Sequence, residues 1–288
     1  MKIKFWGTRG SIPVPGESTL KYGGNTPCVQ IISGSGKSLI LDAGTGINNL
    51  GNKIISDNQN TGINLLITHS HWDHIQGLTF FQPFYKEENS INIFAATNNN
   101  LPVEKILHYQ FKEAFFPVGK EILKAKINLT RLKENATFNI DNFTVNTVST
   151  HHASGTLGFK ITIDGTTIVY LTDNEVYCNT ADKPDIDLVR EKNIELIRFC
   201  EEADFLIHDT MYDYDDYKNK EGWGHSSNLT ATAFAAAAKV KNLIFFHYNP
   251  LYSDDKIDKF ISDSIQLSKK YDLSLKIIPA QENKILTF

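Results

Sequence analysis

The segment ITHSHWDH, at residues 67–74, constrains this chain more than any other part of the sequence. It sets three histidines and one aspartate within six positions, directly after the apolar run of residues 63–67. Side chains in a strand alternate between its two faces, but in a loop that leaves the strand all four can turn toward one point. These four residues are His69, His71, Asp73 and His74. Converging imidazoles and carboxylates attract a cation, so the segment predicts a metal site at a strand end.

The residue types indicate which metal, and how many ions. Neutral imidazole suits zinc and its neighbours, the aspartate adds a hard anionic ligand, and no cysteine lies near, which favours a catalytic site over a structural one. Four ligands at such short spacing are too crowded to close around one ion. The motif therefore predicts two divalent ions, zinc first, with manganese, iron or nickel accepted by the same ligands, and further ligands from distant segments.

Those further ligands are expected where other apolar runs end, because ligands gather beyond strand ends in α/β sheets. Four runs end in suitable residues: FTVNTVSTHH, TIVYLTD, ADFLIHD and LIFFH. Each one alone also fits a polar residue where a strand meets solvent, whereas their coincidence with the motif favours a common site. The candidates are His151 or His152, Asp173, His208 and Asp209, and His247.

Strand-like and helix-like segments alternate along the chain, and no internal repeat or low-complexity linker separates domains. We therefore expect one α/β domain over residues 1–288, with sheets covered by helices. Strands are predicted at 2–7, 28–33, 37–42, 63–68, 91–96, 143–149, 157–163, 166–172, 204–208, 242–247 and 274–278. Helices are predicted at 101–115, 187–202, 228–240 and 254–269.

Composition narrows the class of protein. The 29 Lys and Arg residues against 33 Asp and Glu give a net charge of −4, which lacks the basic character of a dedicated nucleic-acid binder. Only three cysteines occur, at widely separated positions, which favours reduced thiols in the cytoplasm. No apolar stretch is long enough to span a membrane. The expected partner is a small molecule rather than a large nucleic acid or a membrane.

HSHWDH resembles the HxHxDH motif of the metallo-β-lactamase superfamily. Further segments occur in the order typical of its phosphodiesterase branch, which includes ribonuclease Z, the carbon-phosphorus-lyase phosphodiesterase and cyclic-nucleotide phosphodiesterases. These segments are FWGTRGSIPVPG, YGGNTPC, LILDAGTGI, THSHWDHIQGL, VYLTDNE, GWGHSS and FFHYNP. The resemblance implies a four-layer αβ/βα sandwich with a di-metal site at one edge, and a homodimer.

Carried over by position, the resemblance divides the ligands between two ions. It implies His69, His71 and His152 on one ion. It implies Asp73, His74 and His247 on the other, with Asp173 bridging both.

His152 is preferred to His151 because HASGTLGF is similar to the stretch HPGGSLGY, which begins at the ligand in the family. This sequence has Ala153-Ser154 where the family has Pro-Gly, and a second histidine directly before. His151 therefore remains an alternative.

His225 in GWGHSS resembles the histidine of a His-Ser-Thr motif that this branch uses near the scissile phosphate. It also fits an ordinary loop residue ahead of a helix that starts near Asn228. Asp209 is expected to orient it through a hydrogen bond. Together with Asp73, these residues form the expected catalytic set.

The function implied is hydrolysis of a small phosphodiester by metal-activated hydroxide, with a 3′,5′-cyclic nucleotide as the leading substrate. Aromatic residues are available to stack on a base. The candidates are Trp72, Phe80, Phe84, Phe116, Tyr212 and Trp223. Arg9 and Ser11, in a loop shaped by glycine and proline, could contact a phosphate or base or form a plain turn.

Three other functions stay open. A ribonuclease Z acting on tRNA precursors normally implies a long protruding arm, but the segment between Asp173 and His225 is acidic rather than basic and glycine-rich. A carbonyl hydrolase of the thioesterase or lactonase type shares the metal motif. A non-catalytic sensor would be expected to lose ligands, whereas all expected positions are filled.

Overall fold

Two seven-stranded mixed sheets pack face to face in the computed structural model of the protein. The structure describes residues 1–57, 62–96, 103–153, 155–179, 183–270 and 274–288. The first sheet has the order β14-β1-β2-β3-β4-β5-β6 and the second β13-β12-β11-β10-β9-β8-β7. The strands of the first sheet are β1 (Lys2–Gly7), β2 (Cys28–Ile32), β3 (Ser38–Leu41), β4 (Ile63–Ile67), β5 (Ser90–Ala96), β6 (Lys126–Leu132) and β14 (Ile285–Thr287). Those of the second are β7 (Thr137–Ile140), β8 (Phe143–Ser149), β9 (Leu157–Ile163), β10 (Thr166–Leu171), β11 (Phe205–Asp209), β12 (Asn242–Phe246) and β13 (Lys276–Pro279).

Eight α-helices are described, and they cover the outer faces of the two sheets. They are α1 (Gly46–Ser56), α2 (Trp72–Ile75), α3 (Val103–Gln110), α4 (Ile186–Lys192), α5 (Ile194–Cys200), α6 (Tyr214–Tyr217), α7 (Asn228–Ala237) and α8 (Asp254–Lys270). No described helix is both long enough and apolar enough to cross a membrane.

Three apolar cores separate four layers. The middle core lies between the sheets and includes Phe5 and Phe159, each with no exposed surface. One outer core packs α1 and α3 on the first sheet, and the other packs α4, α5, α7 and α8 on the second. The predicted four-layer αβ/βα sandwich is therefore confirmed.

The strand directions bring the predicted ligands to one edge. Strands β10, β11, β12 and β13 are parallel, and β8 runs with them because both β8 and β10 are antiparallel to β9. In the first sheet β3, β4, β5 and β6 are parallel. The carboxyl ends of β4, β8, β10, β11 and β12, which carry the chemistry predicted from the sequence, meet where the sheets converge.

Every predicted strand has a counterpart within a few residues, but six elements escaped the sequence patterns: α1, α2, α6, β6, β7 and β14. The predicted helix 187–202 is wrong as one element, because α4 and α5 are separated at Asn193. The Asn193 side chain donates to the carbonyls of Tyr177 and Val189 and accepts from the Tyr177 amide, which breaks the helix. The predicted helix 101–115 ends at Gln110, and residues 101 and 102 lie outside the described residues, as do Ser154 and Asp182.

The segment SGSGKS forms the turn of the hairpin between β2 and β3. Ser33 donates its amide to the carbonyl of Lys37, and Gly36 has a φ of 84° that glycine adopts without strain. The glycines of this segment therefore serve a hairpin turn.

A ladder of asparagine side chains crosses three parallel strands at the end opposite the predicted ligands. Asn128 on β6 donates to Asn92 on β5 at 2.8 Å, and Asn92 donates to Asn64 on β4 at 2.9 Å. Asn64 is buried and donates to Asp141 between β7 and β8, also at 2.9 Å. The ladder therefore joins the two sheets.

Asn64→Ala is expected to lower the free energy of unfolding by about 1–3 kcal/mol, because the Asn92 amide and the Asp141 carboxylate lose a buried partner. Asn128→Ala, at the exposed end of the ladder, serves as the matched control and should cost less than about 1 kcal/mol. Urea denaturation measures both values. Equal losses of unfolding free energy in the two variants would contradict a larger contribution from the buried end of the ladder.

Candidate metal centre

Nine predicted residues gather at the edge where the strand ends meet, and their possible ligand atoms form overlapping groups. Within each group the atoms lie within 4.8 Å of one another. The first group is His69, His71, His152 and Asp173; the second is Asp73, His74 and His247; a third joins Asp173 and His247 to His225. The ninth residue, Asp209, contacts His225 and His247 from behind.

Asp173 stands between the first two groups, and its two carboxylate oxygens face different sides. Oδ2 lies 3.6 Å from His69 Nε2 and 3.5 Å from His152 Nε2. Oδ1 lies 3.1 Å from His74 Nε2 and 3.2 Å from His247 Nε2. One carboxylate can thus contribute one oxygen to each of two neighbouring cations.

The remaining distances complete each group. His152 Nε2 lies 3.1 Å from His71 Nδ1 on one side. On the other side, Asp73 Oδ2 lies 3.3 Å from His74 Nε2 and 3.2 Å from His247 Nε2. Asp73 Oδ2 also accepts a hydrogen bond from the Ser11 amide at 2.7 Å, which fixes the carboxylate.

These side chains fit the divalent ions that the fold implies. Ligands about 2.0–2.1 Å from a tetrahedral zinc ion are about 3.4 Å apart, which matches the donor separations in both groups. Two ring nitrogens, Nε2 of His69 and Nε2 of His74, are buried and have no hydrogen-bond partner. Such a nitrogen costs free energy unless a hydrogen bond or a cation satisfies it.

The electrostatic environment gives His69, His152 and the two carboxylates the protonation states that ligands need, whereas the carboxylates around His74 and His247 raise the pKa of both rings, so a cation must displace a proton there. Burial, reinforced by the nearby His74, lowers the pKa of His69 well below its ordinary value, and burial also lowers the pKa of His152. Burial alone would raise the pKa of Asp73 and Asp173. The surrounding histidines outweigh burial and hold both pKa values far below the usual range. Neutral imidazoles and ionised carboxylates are the forms that bind metal.

Three residues that follow strand ends at the site have left-handed backbone conformations. Asp42, Asp173 and His247 follow β3, β10 and β12, and their φ values are 59°, 49° and 63°. For residues with a Cβ this conformation costs on the order of 1 kcal/mol each. The sharp change of direction turns their side chains into the space between the strand ends.

Two glycines permit the close packing behind the cluster. A Cβ on Gly44 would lie 2.3 Å from the carbonyl oxygen of Asp73, and one on Gly10 would lie 2.5 Å from the ring of His247. Both distances are shorter than a Cβ atom can approach another heavy atom, so both positions require glycine. Gly44 therefore lies directly against the backbone of the metal motif.

Asp42 is a site residue that the sequence analysis missed. Its Oδ2 accepts hydrogen bonds from His74 Nδ1 at 2.8 Å and Tyr170 OH at 2.9 Å, and its Oδ1 accepts one from the Thr68 amide at 2.8 Å. It therefore fixes the tautomer that leaves Nε2 of His74 free for a cation. The rule applied to the other runs would have found it, since Asp42 directly follows the apolar run of β3.

Asp209 contacts His225 as the sequence analysis predicted. Its Oδ2 accepts a hydrogen bond from His225 Nδ1 at 2.7 Å, and its Oδ1 accepts the amides of Met211 and Ser226. Burial alone would lower the pKa of His225, but the Asp209 charge and hydrogen bond outweigh burial and raise it above the ordinary value. Oδ2 of Asp209 also lies 3.4 Å from His247 Nδ1.

Glu175, also missed, holds the loop that carries His225. Its oxygens accept hydrogen bonds from Tyr217 OH and from the amides of Gly222 and Gly224. The Gly224 carbonyl in turn accepts the Nδ1 proton of His152 at 2.9 Å. These contacts join segments more than 40 residues apart, so no local pattern indicated this role.

The structure separates the two adjacent histidines. His152 lies in the cluster, whereas His151 hydrogen-bonds the Glu175 carbonyl and stacks on Tyr177 with ring centroids 4.2 Å apart. His208 faces away from the cluster, because it donates to the Asp209 carbonyl and accepts from Asn174.

Several candidates for substrate contact are buried in the structure. Arg9 is fully buried and donates to the carbonyls of Gly23, Asn249 and Tyr252, so it cannot meet a phosphate. Phe84 has no exposed surface and Tyr212 only 6%, which prevents either ring from stacking on a base. Trp72, Phe80 and Phe116 line a pocket beside α2, and Trp223 is 59% exposed.

Comparison with known proteins assigns the family. A model described as Beta-lactamase superfamily domain matches residues 38–248. The chain belongs to the beta-lactamase superfamily. It is 25% identical over 290 residues to the ribonuclease Z of Picrophilus torridus, with 88% of this chain and 87% of that protein covered.

Two solved structures share this superfamily fold with the chain. The metallo-β-lactamase fold protein YhfI of Bacillus subtilis has a TM-score of 0.68, 19% identity and 99% coverage of both chains. Unliganded yeast PDE1 has a TM-score of 0.67, 14% identity, and coverage of 100% of this chain and 99% of that one. The predicted superfamily and its fold are confirmed.

Asp42→Asn is expected to weaken zinc affinity by about 10- to 100-fold, the usual effect of losing a carboxylate that orients a histidine ligand. The amide would present a donor toward His74 or Tyr170, both of which donate to Asp42. Competition with a chromophoric chelator at fixed pH measures the affinity. Asp204→Asn, at the opposite end of β11, is the control, and equal zinc affinity in both variants would contradict the assigned role.

Proposed function

We propose that this beta-lactamase superfamily member is a di-metal phosphodiesterase that hydrolyses a small phosphodiester, with a 3′,5′-cyclic nucleotide as its substrate. The main support for this proposal is the position of Asp173 between two groups of ligand atoms. In this proposal His69, His71 and His152 hold one divalent ion, Asp73, His74 and His247 hold the other, and Asp173 bridges them. Zinc is the proposed metal, because imidazole-rich sites with one carboxylate suit it.

When bound, two such ions lower the pKa of water from about 15.7 to about 7 and supply a nucleophile at neutral pH. The residues of the chain supply positioning and proton transfer. Asp209 accepts the Nδ1 proton of His225 at 2.7 Å, which leaves Nε2 as the ring atom for the substrate. His225 contacts both groups, with its ring centroid 5.0 Å from that of His152 and 5.3 Å from that of His247.

In this arrangement His225 binds a phosphoryl oxygen and delivers a proton to the leaving alkoxide. Asp209 is the positioning residue, since it acts through the imidazole of His225. General-acid help of this kind is worth about 10²- to 10⁴-fold in rate. His225 also lies within ligand distance of Asp173 and His247, so metal content must separate a catalytic role from a ligating one.

A small substrate is favoured by the charge beside the site. The ring of Tyr212 lies 6.2 Å from that of His225, and Asp213, Asp215 and Asp216 follow it directly. Asp215 pairs with Lys218 at 3.0 Å, and Lys256 pairs with Asp213 and Asp216, so this segment adds no net positive charge that would attract the phosphates of a long polyanion.

A ribonuclease Z-like endonuclease is the second candidate. The observation in its favour is the identity of 25% to a ribonuclease Z across most of both chains. Both candidates use the same ligands and cleave the same bond type, so substrate size discriminates between them.

Two variants test the division of roles. Asp173→Ala is expected to lose both bound metal and turnover, because each group loses a ligand. His225→Ala should retain two equivalents of metal while turnover falls at least about 100-fold. Metal content by mass spectrometry and hydrolysis of bis(4-nitrophenyl) phosphate are the measurements. Loss of a metal equivalent from His225→Ala would make His225 a ligand, and full metal content in Asp173→Ala would exclude the bridge.

A panel of substrates tests the proposed activity. Metal-loaded protein is expected to hydrolyse 3′,5′-cyclic nucleotides and bis(4-nitrophenyl) phosphate, and to leave precursor tRNA and a thioester intact. Product formation is followed by chromatography, with Asp173→Ala protein as the blank. Cleavage of the tRNA at its 3′ side in preference to cyclic nucleotides would establish the endonuclease, and thioester turnover alone would reject phosphodiester chemistry.

A further inference from the structure

A pocket of about 1050 Å³ opens beside α2, next to the candidate metal centre. Trp72 begins this helix and Gln76 follows its end, and both line the pocket because residues four positions apart share a helix face. Asp73 and His74, between them, face the metal cluster instead. Trp72 is 63% exposed, although tryptophan is highly buried on average.

Aromatic rings fixed by core packing form one wall of this pocket. Phe80 and Phe116 meet edge to face, with centroids 5.6 Å apart and planes at 88°. Phe116 makes a similar contact with the buried Phe111 at 5.4 Å, which anchors it to the outer core. Phe80 is 57% exposed, so a planar group entering the pocket meets ring surface that is already in place.

The rest of the lining is polar but uncharged. None of the described residues that line the pocket is acidic, basic or a histidine. Asn48, Gln76 and Gln110 supply side-chain amides, each of which can both donate and accept hydrogen bonds. Aromatic faces with neutral donors and acceptors suit a planar heteroaromatic ring and offer no counter-charge to a phosphate or an acidic peptide.

We propose that this pocket binds the nucleobase attached to the scissile phosphate, with Trp72 as its stacking residue. The proposal rests on the proposed phosphodiesterase function, which it deepens by naming the part of the substrate held beside the metal centre. Trp72 lies between His71 and Asp73 in the sequence, so the stacking surface and the phosphate site share one short segment. Loss of the Trp72 ring therefore weakens selection for a base.

Paired substrates test the pocket by hydrolysis. Thymidine 5′-(4-nitrophenyl phosphate) and methyl 4-nitrophenyl phosphate share a leaving group, and only the first carries a base. Trp72→Ala is expected to lower the ratio of their kcat/KM values about 5- to 100-fold, mainly through KM, and Trp72→Phe should restore most of it. Phe288→Ala removes a half-exposed ring outside the pocket, away from the metal centre, and should keep the ratio. An unchanged ratio in Trp72→Ala would overturn the proposal.

Binding of free nucleosides provides a readout that does not depend on turnover. The chain has three tryptophans, and Trp6 is only 5% exposed, so a nucleoside in solution reaches Trp72 and Trp223 alone. Thymidine and adenosine are expected to quench tryptophan fluorescence in the wild type and in Trp223→Ala but not in Trp72→Ala.

The two readouts separate the failure of each proposal. Quenching at Trp72 in a protein that hydrolyses neither substrate would leave the pocket assigned and reject the proposed reaction. Hydrolysis of both substrates without quenching would reject the pocket and retain the reaction. If Trp72→Ala lowers the sedimentation coefficient and no nucleoside quenches the wild type, the pocket is instead a contact with a second copy of the chain.

Discussion

The crowding of acidic and imidazole side chains at one sheet edge is the constraint on which the rest of the structure depends. Asp73 and Asp173 are almost fully buried, and their oxygens lie within 3.6 Å of ring nitrogens of four histidines: His69, His74, His152 and His247. Burial of these carboxylates would be costly if their charges were not balanced. Asp42 and Asp209 surround the cluster and accept the outward ring protons of His74 and His225. Each ring is thereby oriented before any ligand binds.

The sequence predicted the site better than it predicted the fold around it. His69, His71, Asp73 and His74 stand out because polar residues rarely follow a buried strand so densely. The later candidates could be found because parallel strands end at the same edge. The four-layer arrangement, in contrast, came from the family resemblance, since alternating strands and helices alone specify only the class. The roles assigned to the individual site residues, and the single domain over residues 1–288, remain predictions.

The elements that escaped prediction have weak local patterns for physical reasons. In α1 two glycines reduce helix propensity, yet Gly51 is required where the helix packs within van der Waals distance of Phe81. Strand β6 is half exposed at a sheet edge, so its apolar residues do not form a continuous run. Glu175 acts through backbone amides that are distant in sequence, and no spacing rule reveals such contacts.

The asparagine ladder also has a consequence for how reliably the chain folds. Parallel strands of similar apolar composition can pair out of alignment, and a shift that preserves the buried face moves a strand by two residues, roughly 6.6 Å. Such a slip in β4 would carry His69 out of reach of Asp173. Asn64, Asn92 and Asn128 form hydrogen bonds with one another in only one alignment of the strands. A mispaired intermediate loses these hydrogen bonds, so the ladder disfavours misaligned forms that cannot bind metal.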